Sequence, residues 1–237
     1  MALKIQAKNK VAEIWLYGDI GESMWGDSIS AKQFADELKK AGAVSTILLH
    51  INSPGGSVFD GVAIYNQLRS HAAHVDVEID GMALSIASII ALAGDTVKMA
   101  GNAFYMIHNP WTLAFGEAKD FREMADRLDL VRDNLLNTYY AKIAKNADRE
   151  QITAWMDAET WFNAADAQKY GFIDEITNDL AVAAKYDLSR YGFKNAPPAA
   201  KDALAMPQDV AMRSRLARMS MAVQRNNLKA KAATAQA

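Results

Sequence analysis

The stretch Asp80-Gly-Met-Ala-Leu-Ser85-Ile-Ala-Ser-Ile-Ile-Ala-Leu-Ala-Gly94 constrains this chain more than any other. The β-rich run His74 to Ile79 leads into Gly81, and no charge follows Ser85 until Asp95. A strand, a tight turn at Gly81 and then a helix buried on all sides are expected, because a helix apolar around its whole circumference has to lie inside a core. Ser85 then stands near the helix start, where unpaired backbone N–H groups and the helix dipole favour negative charge. A hydroxyl there is a nucleophile if a base reaches it. Otherwise it is an N-cap, its oxygen accepting a hydrogen bond from the next turn.

Periodicity fills in the surroundings. Val11 to Tyr17 alternates as a strand, and Ser28 to Gly42 carries an amphipathic helix with a Ser at either plausible cap position and a Gly stop. Thr46 to Ile51 reads as a buried-type strand, followed by the loop Asn52-Ser-Pro-Gly-Gly-Ser57 and a helix over Val58 to Ser70. Short strands follow at Thr96 to Met99 and Ala103 to Ile107. A long charged helix is expected over Glu117 to Lys145, with Phe121, Met124, Leu128, Val131 and Leu135 as its inner stripe. Helices at Arg149 to Met156 and Ala164 to Tyr170 precede the closing segment Phe172 to Ile176. Strands alternating with helices imply an α/β layered domain with mostly parallel pairing.

With 237 residues the chain has room for one good-sized domain and an appendage. No apolar run is long enough to cross a bilayer, and no export signal opens the sequence, so a cytoplasmic location is expected. The absence of cysteine excludes disulfides, thiol catalysis and cysteine-ligated metal. Charge is uneven: from Leu188 onward nine Lys/Arg face two Asp/Glu, a balance of +7, against −9 for the body. Residues 1–187 are therefore read as the folded domain and residues 188–201, around Asn195-Ala-Pro-Pro-Ala-Ala, as a linker. Residues 202–237 read as a basic, partly helical or disordered tail. Such a tail serves as a solubilising extension or binds nucleic acid, an acidic partner or its own domain. Nucleic acid finds no other counterpart in the chain.

Two further segments bear on Ser85. In Ser53-Pro-Gly-Gly56, paired glycines between a strand and a helix let backbone N–H groups face a cleft and hold an oxyanion, unless the segment is a plain Pro-Gly turn. His108, in Tyr105-Met-Ile-His-Asn-Pro110, lies just past a strand end, where imidazole serves as a base toward a serine or merely caps a turn. Asp157 and Glu159 are the acids available to orient it, or ordinary solvated carboxylates. His50, His71 and His74 read as strand or surface residues.

Together these segments resemble the ClpP peptidase family over roughly Ile14 to Ile176. Asn52-Ser53-Pro54-Gly55-Gly56 is similar to the family's Asn-Ser-Pro-Gly-Gly loop. Gly81-Met-Ala-Leu-Ser85-Ile is similar to its nucleophile motif, and Met106-Ile-His108-Asn-Pro110 to its histidine segment. Ala164-Ala-Asp-Ala167-Gln-Lys-Tyr170-Gly171-Phe-Ile-Asp174 resembles its closing segment. The resemblance implies a ClpP/crotonase-like spiral fold of mostly parallel strands with a protruding handle helix. It implies Ser85 as nucleophile, His108 as general base, and an oxyanion hole from the amides of Gly56 and Ile86. Glu159 falls where the family has an Asp, and Asp157 stays open as the alternative. No metal or organic cofactor is implied.

The implied partners are a peptide or protein substrate and further copies of the chain in a ring. The chain departs from the family in having Ala114-Phe-Gly-Glu where a Gly-rich strand precedes the handle helix. A body of this kind with a basic tail looks most like the ClpP-related head maturation proteases of tailed bacteriophages. That likeness implies cleavage of scaffold and capsid precursors, and of the chain's own tail, in the host cytoplasm or procapsid. It leaves the need for an ATP-driven unfoldase open. A crotonase-like acyl-CoA enzyme and a catalytically silent capsid-assembly scaffold are the alternative readings.

Overall fold

The computed structural model describes residues 3–21, 28–180 and 188–198. The chain divides into two compact units, Met1–Ala184 and Lys185–Ala237. The first unit opens with strands β1 (Leu3–Lys8), β2 (Val11–Tyr17), β3 (Asp19–Ile20) and β4 (Ser28–Ile29), then α1 (Ala31–Ala41), β5 (Thr46–Ser53) and α2 (Val58–Ser70). It continues with β6 (His74–Leu84), α3 (Ile86–Ala91), β7 (Thr96–Ala100), β8 (Phe104–Ile107) and α4 (Ala118–Ile143). It closes with α5 (Arg149–Asp157), β9 (Thr160–Phe162), α6 (Ala164–Tyr170) and β10 (Glu175–Thr177). In the second unit the described residues hold a 3₁₀ turn, Leu188–Tyr191, where sequence reading places a linker, and the Tyr191 and Phe193 rings stack 5.8 Å apart. The expected tail, residues 202–237, lies outside the described residues.

The main sheet runs β1-β2-β5-β6-β7-β10, with β8 and β9 branching from β6. Pairing is parallel as expected, except at two antiparallel ladders, β1/β2 and β8/β9. The first is a hairpin whose two-residue loop, Asn9-Lys10, has both residues at positive φ, the backbone that matches strand twist. Alternation puts Ala12, Ile14, Leu16, Ile47, Leu49, Ile51, Val75, Val77, Ile79, Val97 and Met99 on one fully covered face beneath the helices. β5 is thus buried on one face rather than both. Its other face belongs to a row of register partners, Lys4, Trp15, His50, Glu78, Lys98 and Glu175, crossing five strand pairings.

The tight turn expected at Gly81 is absent. β6 runs on to Leu84, and its register with β5 slips between Ile51 and Ser53, so that Ser53 faces Ala83. Past Ile79 the strand leaves β7 and takes β8 as its neighbour, Leu84 opposite Met106. Gly81 falls in this irregular stretch, the usual use of a glycine inside a strand. α3 is shorter than expected, yet all six of its residues are buried, as its composition demands.

α4 spans 26 residues, about 39 Å at 1.5 Å per residue. Its N-terminus carries a reciprocal capping box between Glu117 and Asp120. Only Leu135, Leu136, Tyr139 and Ile143 are buried, all near its C-terminal end. The expected inner stripe therefore fails in its first half: Phe121 is 51% exposed, and Met124 and Leu128 are half-buried. Apolar spacing along a helix shows which face is sticky, but not what covers it.

Candidate active site

Ser85 joins β6 to α3 with φ 55° and ψ −128°, a backbone state that side chains rarely adopt. Its neighbours hold it there. The Ser85 N–H donates to the Met106 carbonyl at 2.9 Å. The Ser85 carbonyl accepts from the Ser88 N–H at 3.0 Å and from the Ser88 hydroxyl at 2.5 Å. The side chain makes no capping bond, so the N-cap reading does not describe this serine. Its Oγ instead lies 2.8 Å from His108 Nε2. The parallel pairing of β6 with β8 brings the two together, because Leu84 faces Met106 and each chain then turns out of the ladder.

The glycine loop abuts this pair. Gly55 has φ 97°, and a Cβ built on it would stand 2.7 Å from both the Leu84 carbonyl oxygen and Ser85 Cβ, and 3.3 Å from the Ile86 nitrogen. Only glycine allows that approach. The next residue bridges to β3: the Ile20 N–H donates to the Gly55 carbonyl, and the Ile20 carbonyl accepts from the Ser57 N–H, each at 2.8 Å. In such a parallel bridge the intervening residue, Gly56, turns its own amide away from Ile20. Ser53 pins the start of the loop, its hydroxyl donating to the Gly18 carbonyl at 2.6 Å and accepting from the Gly55 N–H.

The two acids have separate environments. Asp157 is exposed, and its Oδ1 accepts from the Asn109 side chain at 2.7 Å. Glu159 is only 8% exposed, sits at φ 50°, and its Oε1 accepts from the Trp161 indole N–H at 3.3 Å. The β8/β9 ladder pairs Tyr105 with Phe162, Met106 with Trp161 and Ile107 with Thr160. His108 and Glu159 are the residues that flank this ladder just beyond its last pair, Ile107 with Thr160.

Two features escape the sequence reading. Below Ser85 lies a buried hydroxyl cluster. Ser88 Oγ is 2.7 Å from the Tyr139 hydroxyl, and the Tyr105 hydroxyl donates to the Ser88 carbonyl at 2.7 Å. Burial pushes both phenols well above their ordinary pKa, so they stay neutral donors. The alanine-like spacing of α3 gives no hint that Ser88 pairs with a tyrosine 51 residues away.

The second is His50, which is not a plain strand residue. It stacks on Trp15 with ring centroids 5.5 Å apart and faces Asp80 at 3.0 Å, Glu13 at 3.4 Å and Glu78 at 3.7 Å. Burial alone would lower its pKa, but the Asp80 hydrogen bond and charge, helped by Glu78 and Glu13, raise it. The period-two carboxylates Asp76, Glu78 and Asp80 were legible in β6, but not their register against His50. Because the folded-state pKa is raised, protonated His50 stabilises the fold below its unfolded pKa of about 6.5, and that contribution is lost as pH climbs through the folded value. The melting-temperature advantage of the native chain over His50→Gln is therefore expected to shrink between about pH 6 and about pH 8. An advantage that grows over that interval would contradict this placement of charge.

A family model described as Clp protease matches residues 5–179. An ATP-dependent Clp protease proteolytic subunit of Streptococcus pneumoniae is 34% identical over 169 residues, covering 69% of this chain and 83% of the relative. A protein of the same description from Bacteroides fragilis is 34% identical over 134 residues, covering 55% of this chain and 63% of the relative. One from Bacteroides thetaiotaomicron is 33% identical over 134 residues, with 55% and 59% covered. The chain thus spans about six-tenths of the length of the Bacteroides relatives it matches.

Proposed function

The chain belongs to the Clp protease family, and on that premise we propose that it is a serine endopeptidase. The observation that carries the reading is the 2.8 Å contact between Ser85 Oγ and His108 Nε2. His108 takes the Ser85 proton as Oγ attacks a peptide carbonyl, then returns it to the leaving amine. The acyl-enzyme is cleared by water, with His108 again the base. Gly56 and Ile86 supply the N–H groups that receive the oxyanion. Glu159 holds the imidazole from its far side. A preformed serine–imidazole pair is what peptide hydrolysis needs, and this favours the peptidase over an acyl-CoA enzyme or a silent scaffold. The test is hydrolysis of a fluorogenic peptide library by the native chain and by Ser85→Ala. Turnover by the first alone supports the reading, and equal turnover overturns it.

The enzyme works as an assembly of identical subunits. Support comes from Trp111, Leu113 and Phe115, exposed in the segment before α4, and from Phe121 and Leu130, exposed on α4 itself. Its substrates are phage head precursor proteins, scaffold and capsid, together with its own basic tail, cut near Asn195-Ala-Pro-Pro. The resemblance and the +7 balance beyond Leu188 support this finer reading, and a stretch of small residues such as Asn195-Ala-Pro-Pro-Ala-Ala suits an extended protease cleft. Intact-mass spectrometry is expected to find the tail shortened in the native chain and whole in Ser85→Ala. Identical full-length masses would remove self-cleavage from the account.

A further inference from the structure

A trans peptide points its carbonyl and its N–H in opposite directions, so whatever grips one aims the other. The peptide between Ser85 and Ile86 has its carbonyl gripped by Ser88, through both N–H and hydroxyl. The Ser88 hydroxyl has a single proton, and that proton lies on the Ser85 carbonyl. The Tyr139 hydroxyl, 2.7 Å away, must therefore be the donor to Ser88 Oγ. Tyr105 fixes the other side of the same turn by donating to the Ser88 carbonyl. All three side chains are buried, so bulk solvent does not compete for these bonds. On the opposite side of the gripped peptide lies the Ile86 nitrogen, beside the glycine loop.

We propose that Ser88 and Tyr139 are positioning residues, a relay from α4 through α3 that aims the Ile86 N–H at the developing oxyanion. The assignment rests on the reading of Ser85 as nucleophile and Ile86 as oxyanion donor, and it adds the parts that hold this donor still. Neither residue touches substrate. Loosening the relay should weaken binding of the tetrahedral intermediate and leave ground-state binding alone.

The test is steady-state kinetics on one fluorogenic peptide with native chain, Ser85→Ala, Ser88→Ala, Tyr139→Phe and the double variant, each checked for melting temperature. Ser88→Ala and Tyr139→Phe are each expected to lower kcat about tenfold with KM within about twofold, a fraction of what outright loss of an oxyanion donor costs. The double variant is expected to fall no further than Ser88→Ala, because both act through one hydroxyl. The affinity of a peptide boronate, a tetrahedral analogue, should fall in step with kcat. Should Ser88→Ala fail to fold, Tyr139→Phe, which deletes one oxygen, carries the test. An unchanged kcat in a folded Tyr139→Phe overturns the proposal, as does a loss confined to KM. With Ser85→Ala inactive, that result removes the relay alone. Full activity in Ser85→Ala removes the nucleophile and the relay together.

Discussion

Ser85→Ala is expected to lower peptide hydrolysis by a factor on the order of 10⁵ or more, with the melting temperature held within about 2 °C. The two halves of that expectation have separate causes. The hydroxyl makes no capping bond, and its side-chain contact is His108, so its removal costs the helix start nothing. The backbone at φ 55° is held by Met106, Ser88 and the close approach of Gly55, none of which needs Oγ. Chemically, Ser85 Oγ is the hydroxyl that stands 2.8 Å from His108 Nε2, and the variant loses it. What survives is the slow attack of water in a pocket that still binds the substrate. Loss of activity accompanied by unfolding would point instead to a structural serine.

The second large effect separates the two acids. Glu159→Gln is expected to lower kcat by roughly 10²–10⁴, and Asp157→Asn to change it less than about threefold. If Glu159 orients His108, its buried carboxylate stabilises the imidazolium that forms when Ser85 gives up its proton, and an amide of the same shape does not. Glutamine keeps the length of the side chain and an oxygen for the Trp161 indole, so the loss reports charge rather than packing. Asp157 is exposed and committed to Asn109, where screening by water leaves little effect on His108. Kinetics on both variants decide the assignment. The reverse ranking would hand the role to Asp157 and make the β9 register irrelevant to catalysis.

Where local pattern set the structure, it was readable. Val11–Tyr17 and Val58–Ser70 form with the bounds that alternation and helical spacing indicate, and Gly171 stops α6 in the left-handed conformation its position demands. The Ser85 and His108 segments were legible as candidates, because each sits at an element end beside unusual residues. Their meeting was not legible from periodicity, since it depends on β6 exchanging β7 for β8 as its neighbour. β9 has three residues, too few to show a period, and only its pairing with β8 brings Glu159 to the ladder end that His108 follows. Ser88 reads as one more small residue in an apolar run, and its pairing with Tyr139 comes from α4, 51 residues further along the chain. His50 likewise gains three acidic neighbours from two other strands. What long-range pairing decides, a one-dimensional reading leaves open.

Covalent labelling with a fluorophosphonate, followed by peptide mapping, reads the serine–imidazole pair without needing a known substrate. The native chain is expected to carry one phosphonyl group, on Ser85, with His108→Ala labelled at least about 10²-fold more slowly. Label on another residue, or undiminished labelling of Ser85→Ala, would contradict the account at its centre.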